Sequence, residues 1–197
     1  STRRKNPLTD QYILVSPQRM SRPWSQQTTP VSEEKIPEYE PTCNLCPGNT
    51  RANGVTNPTY TSTFIFENDF PALSPLTTDI ALPGDQLDFF TEIPERGQCE
   101  VVCFSPQHNL SFLSLPVTEI SLIIKQLIER YRAISASPSI KHIQLFETRG
   151  KEVGNSAPHP HCQIWSQENI PTLPQKILAT QQEYYQAHHQ KLLLDYV

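Results

Sequence analysis

Residues 155 to 165 read NSAPHPHCQIW, with His159 and His161 flanking a proline and Gln163 two residues further on. An imidazole can ligate a metal, move a proton or attack an electrophile. Pro160 fixes its own φ, has no N–H and keeps His159 out of the helical region; Pro158 acts likewise on Ala157. The segment is therefore extended, and the alternation of a strand predicts His159, His161 and Gln163 on one side. Two imidazoles and a carboxamide on one side are poor packing material. A single histidine would be read as an idle, solvated side chain at a sheet edge. The grouped set, following a Gly/Ser loop at Gly154 and Ser156, favours chemistry.

Five cysteines stand at positions 43, 46, 99, 103 and 162, an odd set too sparse for a small secreted disulfide scaffold. Cys43 and Cys46 form a C-x-x-C with a Pro-Gly turn behind it, which is half of a tetrahedral zinc site. No second C-x-x-C exists to complete it, and Cys99 and Cys103 read as core thiols. His108 is a loop histidine without a structural duty. Cys43, Cys46, His108 and His159 would make a Cys₂His₂ set, but with spacing far too long for a zinc finger, so the grouping rests on composition. A redox C-x-x-C is the competing reading, although the βαβ context of a thioredoxin is missing. If a metal claims one motif histidine, the other is free to act as a nucleophile. Attack on phosphorus needs that ring's second N–H held by a hydrogen bond, and donors for the phosphoryl oxygens. Gln163, Ser156 and the N–H groups around Gly154 are suitable donors.

The elements that must position these groups are mostly strands. Tyr12–Val15, TSTFIFENDF, CEVVCF, HIQLFE and HCQIW are short β-rich or apolar runs bounded by turn signals. Ile120, Ile123, Ile124, Leu127, Ile128, Tyr131 and Ile134 follow helical spacing and predict a helix from about Thr118, its N-cap, to Ser135. A polar helix is expected over Gln175 to Lys191, and residues 26–41 and 74–97 read as loops. This order predicts an α+β fold, an antiparallel β-sheet with helices packed on one face. The 197 residues suit one domain spanning the chain. The closing LLLDYV is apolar with nothing after it to bury Leu192, Leu193 and Leu194, so the chain reads as part of a longer protein. A formal net charge of −4 offers no footprint for nucleic acid or an anionic membrane. Without a basic-then-apolar leader or a long apolar run, the expectation is a soluble, cytoplasmic protein.

The stretches CNLCPGNTRANG, ENDFPAL, CFSPQHN and GNSAPHPHCQIW, together with the opening NPLTDQYILVSPQRMSRPW, resemble the galactose-1-phosphate uridylyltransferases, a branch of the histidine-triad superfamily. The match runs in order through the whole chain and implies a histidine-triad-like half-barrel, the N-terminal domain of an enzyme whose C-terminal half is lacking here. The activity implied is transfer of UMP from UDP-glucose to galactose 1-phosphate through a uridylyl-histidine. By the resemblance His161 is the nucleophile and Gln163 contacts the phosphoryl group. Zinc falls on Cys43, Cys46, His108 and His159, the uridine end on Asn68 and Asp69, and the phosphates on Gly154, Asn155 and Ser156. Arg19 and Arg22 lie in a segment that reaches the partner's site in a homodimer. Thr148, Asn155 and Ala157 depart from residues common in relatives, and Ile177 stands where a second metal site would need a glutamate. No second metal is therefore expected. A histidine-triad hydrolase or phosphorylase and an inactive, zinc-stabilised fragment are the alternatives; the His-Pro-His-x-Gln form favours the transferase.

Overall fold

A computed structural model describes residues 1–23, 35–75, 93–155 and 157–197. The loops expected over 26–41 and 74–97 fall largely outside the described residues, as does Ser156; the described parts, 35–41, 74–75 and 93–96, carry no helix or strand, whereas Gly97 already belongs to a strand. In chain order the elements are β1 (Thr2–Lys5), β2 (Tyr12–Val15), β3 (Phe64–Glu67), β4 (Gly97–Cys103), α1 (Val117–Ser135), β5 (His142–Phe146), β6 (His161–Gln167), α2 (Thr172–His188) and α3 (Leu192–Tyr196). They fall into two compact units, one of Ser1–Glu33 with Ile170–Val197, the other Glu34–Asn169.

The larger unit is built on an antiparallel sheet of order β3-β4-β6-β5, so the apolar run CEVVCF is indeed an interior strand. Its register places Cys103 opposite His161, Val101 opposite Gln163 and Cys99 opposite Trp165, while Phe146 of β5 also faces Gln163. Because side chains alternate, these residues share one face of the sheet. The other face presents Val102, Cys162 and Ile164, which join Ile123 and Ile134 of α1 in the main core. One strand, β6, thus anchors the core with Cys162, Ile164 and Ser166 and carries the candidate chemistry on the alternate residues.

Helix α1 begins one residue before the sequence expectation and is capped differently. Pro116 is the N-cap, held extended at φ −59° and ψ 146°, and its carbonyl accepts the Ile120 N–H at 3.0 Å. Thr118 therefore lies inside the first turn and makes no cap, because the proline has already set the entry geometry. Along the expected stripe Ile123 and Ile134 are buried, and Ile120 and Leu127 pack beside them. Ile124, Ile128 and Tyr131 remain 45% exposed, since the apolar arc of the helix is wider than the sheet face beneath it.

In the smaller unit β1 and β2 pair as an antiparallel hairpin. Helix α2 starts at Thr172, earlier than expected, because Pro171 is its N-cap and Pro174 is tolerated in a first turn. It ends where His189 turns left-handed at φ 56°. The terminal leucines form α3, which buries Leu192 and leaves Leu193 and Leu194 outside, so the cluster is only partly uncovered. No described helix is long and apolar enough to cross a membrane.

Candidate metal centre and active site

Cys43 and Cys46 sit on a knuckle whose turns are held by two asparagine side chains. Asn49 Nδ2 donates to the carbonyls of Cys43 (2.8 Å) and Glu40 (2.9 Å), and Asn57 Nδ2 to those of Asn44 (2.8 Å) and Cys46 (3.0 Å). The Pro-Gly turn works because Gly48 adopts φ +75°, a left-handed conformation that glycine enters without a Cβ clash. His108 comes from the loop after β4, its N–H bonded to the Glu38 carbonyl at 2.7 Å. His159 precedes β6 in a bend, so strand alternation governs His161, Gln163 and Trp165, while the flanking prolines and its own contacts place His159.

One ligand atom from each of Cys43, Cys46, His108 and His159 lies within 4.8 Å of all the others. Cys46 Sγ is 3.5 Å from His108 Nδ1 and 3.6 Å from His159 Nδ1. Bond lengths of zinc to thiolate and imidazole imply tetrahedral edges of about 3.3–3.8 Å, and both Cys46–histidine distances fall in that range. The tautomer agrees. His159 Nε2 lies 2.9 Å from the Ser105 carbonyl, an acceptor only, so Nε2 carries the hydrogen and Nδ1 presents its lone pair to Cys46. Tyr60 braces the same ring: its hydroxyl donates to the Leu45 carbonyl at 2.6 Å and sits 3.0 Å from His159 Nε2. Burial lowers the pKa of His159 to about 4 and lowers that of His108, keeping both imidazoles neutral as ligands must be. Burial also pushes the Cys46 thiol up to about 11. The five cysteines are all free, consistent with thiols rather than disulfides.

His161 shows the opposite tautomer. Its Nδ1 is 2.7 Å from the carbonyl of His159, so Nδ1 is the N–H and the Nε2 lone pair is unencumbered by that bond. Gln163 is oriented by two donors on its carboxamide oxygen, Trp165 Nε1 at 2.9 Å and Asn68 Nδ2 at 3.3 Å. An indole nitrogen can only donate, so the Gln163 oxygen must face it, and the –NH₂ group is turned the other way. A small cleft beside His161 is lined by Ser111, Thr148, Arg149 and Asn155. Gly154 lies at φ +82°, and Asn155 closes the loop back to Gly150.

Of the residues singled out from sequence, the structure gathers Cys43, Cys46, His108 and His159 at one point, and Asn68 with Gln163 at another. Asp69 is engaged by Arg51 at 2.9 Å. Arg19 and Arg22 lie on an exposed single-turn helix, Pro17–Ser21, and its edge in the smaller unit. Sequence reasoning missed Tyr60, Arg51 and Trp165. Alternation from Gln163 would have found Trp165; nothing local marks the other two.

A profile of the N-terminal domain of galactose-1-phosphate uridyl transferase matches residues 1–171. The chain belongs to that family. It is 42% identical over 195 residues to a probable galactose-1-phosphate uridylyltransferase of Drosophila melanogaster, covering 99% of this chain and 55% of the relative. It is likewise 42% identical to the galactose-1-phosphate uridylyltransferase of Haemophilus influenzae, with the same coverage. A solved structure of a uridylyltransferase superposes with a TM-score of 0.64 at 27% identity, over 96% of this chain and 53% of that one. The chain thus spans about half the length of the curated relatives it matches. The expected α+β architecture, antiparallel sheet with few helices, is the one the family shares.

Proposed function

We propose that this chain carries the nucleotide-transferring half of a UDP-glucose–hexose-1-phosphate uridylyltransferase, acting through a covalent adduct on His161. The observation that carries the proposal is the 2.7 Å contact between His161 Nδ1 and the His159 carbonyl. In the neutral ring it assigns the proton to Nδ1 and leaves the Nε2 lone pair as the nucleophile. In the first half-reaction Nε2 bonds to the α-phosphorus of UDP-glucose while the bond from that phosphorus to the bridging oxygen breaks, releasing glucose 1-phosphate. Nδ1 keeps its proton, and the positive charge gained by the ring is stabilised by the carbonyl that accepts from it. In the second, a phosphate oxygen of galactose 1-phosphate attacks phosphorus, the N–P bond breaks and neutral His161 is restored with UDP-galactose. The Gln163 –NH₂, turned away from Trp165 and Asn68, is suited to donate to a phosphoryl oxygen as charge builds there.

Zinc is the metal the Cys₂His₂ donor set fits, held by Cys43, Cys46, His108 and His159; once bound it supplies a rigid anchor for the segment that carries the nucleophile. The proposal also places the uridine end at Asn68 and Asp69 and the phosphates at Gly154, Asn155 and Ser156. It extends to a cytoplasmic homodimer in which Arg19 and Arg22 reach the partner's site; family membership supports these points.

Incubation of the zinc-loaded protein with UDP-glucose labelled at the α-phosphorus is expected to leave label on His161. His161→Ala should fold, bind zinc and take up no label, with transfer reduced by roughly 10⁴-fold or more. UMP accumulating without a labelled protein would replace the transferase with a hydrolase. A folded, zinc-loaded protein that neither labels nor turns over would leave a structural domain.

A further inference from the structure

Arg51 connects two parts of the site that are separate in sequence. It stands five residues after Cys46, in a turn closed by the Thr50–Thr56 bridge and by its own N–H bonded to the Val55 carbonyl at 2.9 Å. From there its guanidinium reaches the end of β3. One terminal nitrogen donates to Asp69 Oδ1 at 2.9 Å and lies 3.4 Å from the Glu67 carbonyl, while the guanidinium carbon sits 4.2 Å above the Phe66 ring. Arg51 and Asp69 are only 10% and 11% exposed. The Arg51 Nε is buried without a hydrogen-bond partner. Beyond Phe66 the rings continue inward: Phe66 stacks on Phe64 at 5.1 Å, Phe64 on Tyr60 at 5.0 Å, and Tyr60 touches the ligand His159.

A buried ion pair with one donor left unsatisfied is a poor choice for stability alone, since apolar residues of similar volume do as well or better. What the pair does provide is position. The Asp69 carboxylate is held by one oxygen, and its neighbour Asn68 is one of the two donors on the Gln163 oxygen, the longer one. We propose that Arg51 is a positioning residue: it ties the metal knuckle to the Asn68–Asp69 segment, so that the knuckle sets recognition of the nucleoside end of the substrate. The inference rests on the proposed function, because that reading makes Asn68 and Asp69 the uridine contacts. Gln163 keeps the shorter of its two bonds, from Trp165, without Arg51, so Arg51 acts on specificity and not on the phosphoryl chemistry at His161.

The test compares UDP with inorganic pyrophosphate, which lacks the nucleoside, by calorimetric titration of zinc-loaded wild type, Arg51→Met and Arg51→Lys. Arg51→Met keeps length and apolar contact with Phe66 but no charge, and is expected to weaken UDP binding about tenfold, within the usual range of couplings between sites. Pyrophosphate affinity and zinc content should stay at wild-type values. Arg51→Lys, which restores charge without the planar fork, should recover part of the UDP loss. Unchanged UDP binding in Arg51→Met, or equal loss of UDP and pyrophosphate in both variants, overturns the proposal. A wild-type protein that binds pyrophosphate but not UDP overturns the uridine assignment and this inference together. Wild-type UDP binding with unaffected variants overturns the role of Arg51 alone.

Discussion

Two histidines two residues apart are given opposite protonation patterns by two backbone carbonyls. Ser105 takes the Nε2 hydrogen of His159, and His159 in turn takes the Nδ1 hydrogen of His161. The first ring is thereby aimed at the cysteines and the second away from them, a division that residue type alone could not make. Tyr60 belongs to this scheme, since its hydroxyl supports both the knuckle, through Leu45, and the ligand ring. Partners that orient metal ligands typically contribute 10–100-fold to metal affinity. Tyr60→Phe is therefore expected to weaken zinc binding about tenfold in a chelator competition, with the Cys46→Ser variant as the reference for loss of a direct ligand. Zinc affinity equal to wild type would remove Tyr60 from the metal site.

At the scale of elements, β6 is the strand on which core and chemistry meet, and its pairing with β4 must be close at the far end as well. Gly97 opens β4 opposite Gln167, and a Cβ there would stand 2.2 Å from the Ser166 carbonyl oxygen. That neighbour is backbone in a ladder and cannot swing aside as a side chain could. Gly97→Ala is expected to lower stability by about 2–3 kcal/mol, as forced overpacking does, measured by urea denaturation. A midpoint shift near zero would mean the two strands part easily at that end. On the other face, Glu100 is buried in β4 and is met by the Arg130 guanidinium from α1, with Gln98 donating to the same carboxylate at 2.7 Å. The pair adds a polar tie between helix and sheet beside the apolar contacts of Leu127 and Ile134.

For the whole molecule, burial of titratable groups predicts how the metal-free chain responds to pH. His159 has its folded pKa lowered to about 4, below its ordinary 6.5, so the unfolded chain binds the extra proton first. Stability is then lost as pH falls from about 6.5 towards 4, by up to roughly 3 kcal/mol. Cys46, Cys103 and Cys162 are raised by burial, to about 11, 12 and 12, from an ordinary 9. The unfolded chain loses those protons first, so stability also falls as pH rises above 9. Thermal melts of the metal-free protein across pH should show a plateau between these limits, and a flat profile down to pH 4 would contradict the burial of His159. Much of this architecture was legible in advance. Proline restriction and two-residue alternation, both local rules, located β6 and put His161 and Gln163 on one face; they put His159 there too, but it lies in the bend before β6 and joins the cysteines instead. Continuous apolar character marked β4, and helical spacing marked α1 to within a residue at its start. The grouping of Cys43, Cys46, His108 and His159 was open to composition but not to spacing, because these ligands come from three loops that only the sheet brings together. The tautomers, the Tyr60 brace and the Arg51–Asp69 tie were decided by tertiary structure alone. Each depends on a contact between residues far apart in the chain or on a backbone carbonyl, and a carbonyl is present at every position, so no residue letter distinguishes the one that matters.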